Sequence, residues 1–252
     1  MMNIKQKTLQ DIIDSEKSLL VSAKEDYGEY FDNALGFNSL LNNFIKSLND
    51  PEKYIFLAFF SQIKKNHTLA LFSSLRLHHV QAGMNLRQFI EASSWAVYAM
   101  GNKEIEKFCD SSNGFLDVNE KHTKERNAWL LVNYKDASEK FNIQRKIINK
   151  SLAHSNIVYT FQNFKTNPKE FGFNFSFFDE YDDFKVKTDL WTIGNFALGL
   201  LDLMYGVNND YNVFDIIDDF LPEFRKLVDQ NNKLKQEMMN HPRFKKNIKN
   251  NS

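Results

Sequence analysis

Between Tyr54 and Met100 nearly fifty residues pass with almost no helix breaker, and their apolar residues recur at helical spacing. A run of that kind folds as two long helices laid against each other, because either helix alone would hold its apolar stripe in water. The first helix is expected from about Pro51 to His79. Gln81-Ala82-Gly83-Met84 is the expected turn or kink, a second helix follows from about Asn85 to Met100, and Gly101-Asn102 stops it.

The flanking sequence suits more helices. Residues 1–34, with Leu9, Ile12, Ile13, Leu19, Leu20 and Val21, read as an amphipathic helix, and Leu35 to Leu48 as a short one stopped by Asn49-Asp50-Pro51. The stretch from Asn102 to Glu125 is polar and commits to no element. Helices follow from about Arg126 to Phe141 and from Gln144 to His154. The period then drops to two: Ile157–Phe164 and Phe171–Phe177, joined by Thr166-Asn167-Pro168-Lys169, form a hairpin that needs the bundle beneath it. Acidic Asp179–Asp183 leads into a helix from about Lys187 to Tyr205, apolar on most sides and therefore central. Phe214, Ile217, Leu221, Phe224 and Val228 give the last helix a three-four repeat with a surface for self-association.

The expected fold is mainly α: a multi-helix bundle built on a long antiparallel helix pair, with one small β-hairpin inserted after about residue 156. It forms one domain over residues 1–240, with N-terminal helices in 1–50, a core over 51–205 that includes the hairpin 157–178, and a C-terminal helix over 210–240. Residues 241–252 form a disordered tail.

Charge excludes some functions. The 252 residues carry 32 Lys plus Arg against 32 Asp plus Glu, so no global field draws nucleic acid or an anionic membrane, and a polyanion would need a local patch. Cys109 stands alone, which excludes an internal disulfide and fits a reducing, cytoplasmic setting. No window approaches 18 uncharged apolar residues, so no membrane span is expected. There is no Gly-rich phosphate loop, nucleophile elbow or paired-His helix, and no cofactor or metal is implied.

The long helices do carry ionisable groups: His67, Arg76, His78, His79, Arg87 and Glu91. His67, Ser74 and His78 share a stripe, with the two imidazoles roughly 16 Å apart, too far to share a metal. A reversal near Gly83 would bring Arg87 beside His78 or His79, and Glu91 sits at i+4 from Arg87. Such a cluster could bind an anion or move a proton, but a polar network of Arg87, Glu91, His79 and His67 that fixes helix register is the favoured reading. His154 ends a helix, where it caps carbonyls or serves as a catalytic base. Asp215, Asp218 and Asp219 read as the solvated face and first turn of the last helix rather than a metal site. The segment Lys233–Lys249 is a solubilising end or, alternatively, a phosphate reader.

Leu86-Arg87-Gln-Phe-Ile-Glu91, Tyr134-x-x-x-Ser138, Ala153-His154-Ser155 and Phe177-Phe178-Asp179 together resemble a domain-of-unknown-function family of bacterial helical proteins distantly related to the HEPN superfamily, over roughly residues 50–205. Many HEPN proteins are dimeric, metal-independent ribonucleases of toxin and phage-defence systems. They use an Arg followed after four to six residues by His, which move the ribose 2′-hydroxyl proton and hold the scissile phosphate. Here Arg76, Arg87, Arg126, Arg145, Arg225 and Arg243 all lack a His at that distance; Arg126-Asn127 opens like the motif but leads to Leu131, Val132 and Asn133.

The expected function is therefore a binding or regulatory component of a bacterial stress, toxin or phage-defence system, acting as a homodimer or with a partner protein. One alternative is a divergent HEPN-like ribonuclease that assembles His154, Arg87 and His78 in space. The other is RNA or DNA binding through the basic C-terminal segment.

Overall fold

A computed structural model describes residues 8–112, 115–117, 119–151, 164–167 and 172–245. The chain is a mainly α multi-helix bundle, and its spine is the expected antiparallel pair, α3 (Tyr54–Leu75) and α4 (His79–Gly101).

Two helices precede this pair. Thr8 starts α1 (Leu9–Tyr27) with a capping box closed by Asp11, and Gly28, at φ +50°, ends it and begins α2 (Glu29–Asn43). The break within residues 1–34 thus falls at Gly28, which takes a positive φ that other residues resist.

The expected helix over Leu35–Leu48 is corrected at its end. Ile45–Leu48 is a strand, β1, paired antiparallel with β6 (Phe214–Ile216), with Leu48 opposite Phe214. Phe214 and Ile217 accordingly lie ahead of the last helix. The buried Asn208 closes the turn before β6: its Oδ1 accepts from the Val213 and Phe214 N–H groups, and its Nδ2 donates to the Phe214 carbonyl. Phe44 packs at this junction against Phe214 and Phe220, with ring centroids at 5.2 and 4.9 Å. The ladder is too short to stand alone and draws its stability from that aromatic core.

The helical reversal also lies elsewhere than expected. It falls at Arg76–His78, and Gly83 is buried inside α4. Leu77 adopts φ +58°. The His78 N–H reaches back to the Ser73 carbonyl at 2.8 Å, so the last turn of α3 is capped without a glycine. The conformation costs a leucine about 1–2 kcal/mol. Burial of its side chain, which is 6% exposed, offsets that by about 2 kcal/mol.

Downstream, β2 (Asp110–Ser112) and β3 (Phe115–Asp117) make a small hairpin in the stretch that suggested no element. Asn119 caps α5 (Glu120–Asn133), and Tyr134, with φ −140°, separates it from α6 (Lys135–Ser151). The break expected after Phe141 is absent: Phe141 and Gln144 sit on one continuous helix. The expected hairpin is present as β4 (Phe164–Asn167) against β5 (Gly172–Phe175). Thr166 and Asn167, read as turn residues, belong to its first strand, while residues 157–163 lie outside the described residues.

The central helix is α7 (Asp183–Tyr211), started by the Asp182 side chain on the Lys185 N–H. It is long and apolar enough to cross a membrane by length and composition. In the fold its Val186, Leu190, Ile193, Ala197, Leu201 and Met204 are buried among neighbouring helices. The last helix, α8 (Phe220–Asn240), covers α2 and α7 with Phe220, Leu234 and Met238. Of its repeat, Phe224 packs on the core and Leu221 is 40% exposed. The start of the expected disordered tail folds back on α7, where Arg243 pairs with Asp182 and the His241 ring stacks on Phe184 at 4.2 Å.

Candidate functional site

The ionisable groups of the helix pair separate into three places. The first is the elbow between α3 and α4. His78 Nε2 lies 3.0 Å from Glu16 Oε1 of α1, and Arg76 Nη1 lies 3.3 Å from the other Glu16 oxygen. The His78 ring stacks on Phe178 and meets the edge of Phe177. Next to it, His79 is 2% exposed. Its Nδ1 donates to Asp189 Oδ2 of α7 at 2.5 Å, and its Nε2 has no hydrogen-bond partner among the described residues.

Asp179 clamps this elbow from outside the pair. Its carboxylate accepts from the His79 N–H at 2.7 Å, capping α4 where His78 supplies no side-chain cap, and its own N–H donates to the Leu77 carbonyl at 2.9 Å. The turn is therefore fixed by a segment a hundred residues away in sequence.

The second place is Glu91. The expected Arg87–Glu91 pair is not formed; Glu91 instead receives Arg126 Nη1 of α5 at 3.4 Å and Arg145 Nη1 of α6 at 3.3 Å, one on each oxygen. Arg126 is fully buried, its guanidinium 4.4 Å from the Trp95 ring centre and bound by Asn127 Oδ1. Burial above all, with the Arg145 charge, pushes its pKa down to about 10. Arg87 is half-buried and has no hydrogen bond or ion pair with a described residue.

The third place is His67, completely buried in the middle of α3. Asn38 Nδ2 donates to its Nδ1 at 2.9 Å, so the proton sits on Nε2, which donates to the Ile193 carbonyl at 3.2 Å. Desolvation pushes its pKa down to about 4, leaving a neutral ring that joins α2, α3 and α7.

The expected network of Arg87, Glu91, His79 and His67 is thus three separate networks. The expected catalytic trio is not assembled among the described residues either. His78 is at the elbow, Arg87 lies about 13 Å further along the helix axis by residue count, and His154 lies outside the described residues. Asp215 belongs to β6, where hydrogen bonds from Ser47 and Asn49 hold its carboxyl below the usual range. Asp218 pairs with Lys46. In the basic segment, Lys233 is tied to Glu29 and Arg243 to Asp182. Among the described residues no cluster of three potential metal ligands occurs.

Sequence reasoning missed Glu16, Asp189, Arg126 and Arg145 as partners, because each is set by a helix crossing rather than by local spacing. A half-open cleft of about 700 Å³ was equally unsignalled. It runs between α6 and α7, bounded by Phe89, Phe141, Phe196 and Leu203, with Lys140 and Asp202 among its polar groups. At its edge, the Tyr134 hydroxyl donates to Asp210 at 2.8 Å; burial and this carboxylate push the phenol's pKa up, keeping it a neutral donor.

No protein-family model, curated protein or solved structure matches the chain.

Proposed function

We propose that the chain works by binding a small amphipathic molecule in the cleft between α6 and α7, as a cytoplasmic regulatory component rather than a catalyst. The cleft itself carries the reading: about 700 Å³ lies in the range of ligand sites, with aromatic walls and a few polar groups. Gly199 adds support. It stands on the cleft wall inside α7, where a glycine costs about 1 kcal/mol against alanine, and a Cβ there would meet no atom within 4 Å. The fold does not require that glycine, whereas a bound molecule lying against the helix would. The bacterial stress or defence setting rests on the family resemblance.

The test is a neutral apolar dye, Nile red, titrated into the intact protein and into Gly199→Trp. Saturable fluorescence in the first, lost in the second at an unchanged or higher melting temperature, is the expected result. Equal dye binding by both proteins would overturn the reading.

A second reading, acid–base chemistry of the ribonuclease kind, is favoured by the His79–Asp189 pair, whose buried Nε2 has no partner among the described residues. It requires that intact protein cut total RNA and that His79→Gln and His154→Ala each stop it. RNA left uncut by the intact protein removes this reading.

A further inference from the structure

The Glu91 cluster carries more positive charge than its own packing needs. Glu91 faces Arg126 and Arg145, and Arg87 stands one turn earlier on the same face of α4. Two guanidinium groups therefore hold one carboxylate with a third arginine one helical turn away, an excess of two positive charges on this face. Outside the described residues the sequence holds a single acidic side chain, Glu170.

A purely structural triad accounts for part of this. Arg126 is walled in by Trp95 and Asn127, and its bond to Glu91 ties α5 to α4. Arg145 ties α6 to the other Glu91 oxygen and donates to Asn142 Oδ1, yet its charge repels Arg126 and helps to depress the Arg126 pKa. Arg87 makes no hydrogen bond or ion pair with a described residue. Both of these reach solvent: the Arg145 side chain is 17% exposed, Glu91 32%, and Arg87 is half-buried. Partly exposed arginines of this kind are suited to planar, multidentate capture of an oxyanion.

We propose that Arg87 and Arg145, backed by the immobile Arg126, bind a phosphate monoester or free orthophosphate on the α4–α6 face, with the dianion offsetting the two excess charges. Glu91 then sets the orientation of Arg145 and limits affinity, since it repels the ligand. The site does not depend on the cleft reading, because its probe is inorganic phosphate and its determinants lie outside the cleft lining.

The experiment is calorimetric titration with sodium phosphate at constant ionic strength, with sodium chloride as the control, alongside thermal melting of the full chain. Saturable phosphate binding is expected, weakened about tenfold in Arg87→Gln and in Arg145→Gln, the size of one charge-assisted hydrogen bond. Glu91→Gln gives the opposite sign: a lower melting temperature without ligand and tighter phosphate binding, which a structural triad alone would not produce. Among the described residues Arg87 has no hydrogen-bond or ion-pair partner to lose, so its variant should fold as the parent does. Phosphate no more effective than chloride, or full binding retained by both arginine variants, would overturn the proposal. A single-stranded RNA lacking terminal phosphates that binds as tightly as orthophosphate would also overturn it, in favour of a phosphodiester polymer.

Discussion

His67 and the His78–His79 elbow lie on the same helical hairpin, yet the fold uses their imidazoles in opposite ways. His67 is met only by neutral groups, an amide and a carbonyl, and is locked as an uncharged strut. Each elbow histidine is met by a carboxylate carried in from another helix, Glu16 or Asp189. What separates them is the partner that tertiary packing supplies. Residue type is shared by all three, and helical phase by His67 and His78.

The contrast breaks most visibly at His67. Replacing it with Ala leaves a buried cavity and strips one Asn38 N–H and the Ile193 carbonyl of their partner, and should lower unfolding free energy in urea by about 3 kcal/mol. The same ring predicts an acid response. Its folded pKa, about 4, is below the ordinary 6.5 of an unfolded histidine, so between those values the unfolded chain binds more protons. Stability should therefore fall as pH drops from about 6.5 to about 4, by on the order of 3 kcal/mol. Melting curves across that window should show this loss in the parent and not in His67→Ala.

At the elbow, Asp189→Asn removes the charge facing His79 while keeping the shape. About 2 kcal/mol of lost stability is expected, and an unchanged urea midpoint would mean that the pair contributes nothing. Asp179→Ala removes the cap of α4 and should cost about 1 kcal/mol, with faster amide exchange confined to the first turn of that helix. The smallest effect belongs to Leu77→Gly. Relief of the positive φ opposes loss of a buried side chain, so the net change should stay below about 1 kcal/mol.

The helical pattern of Tyr54–Met100 and the apolar surround of Leu190–Leu203 were legible because both are local periodicities that burial reinforces. The position of the elbow was not. Gly83 is the residue that local chemistry would choose for a turn, but Asp179 and the burial of Leu77 fix the reversal six residues earlier. Residues 45–48 and 214–216 misled in the same manner: each carries helical spacing by itself, and only their mutual pairing makes them strands. The candidate site divides along that line. His78, His79 and Glu91 were visible as unusual polar residues on apolar helices, whereas Glu16, Asp189, Arg126 and Arg145 sit on separate helices whose crossings no spacing rule encodes.

The β1–β6 ladder has a bearing on how the chain is made. Ile45 finds its partner only in Ile216, so during synthesis the first two helices emerge from the ribosome long before the strand that completes their edge. Phe44 must wait equally long for Phe214 and Phe220. Such late closure of a long loop slows folding and leaves an aromatic face uncovered until the last quarter of the chain has been made.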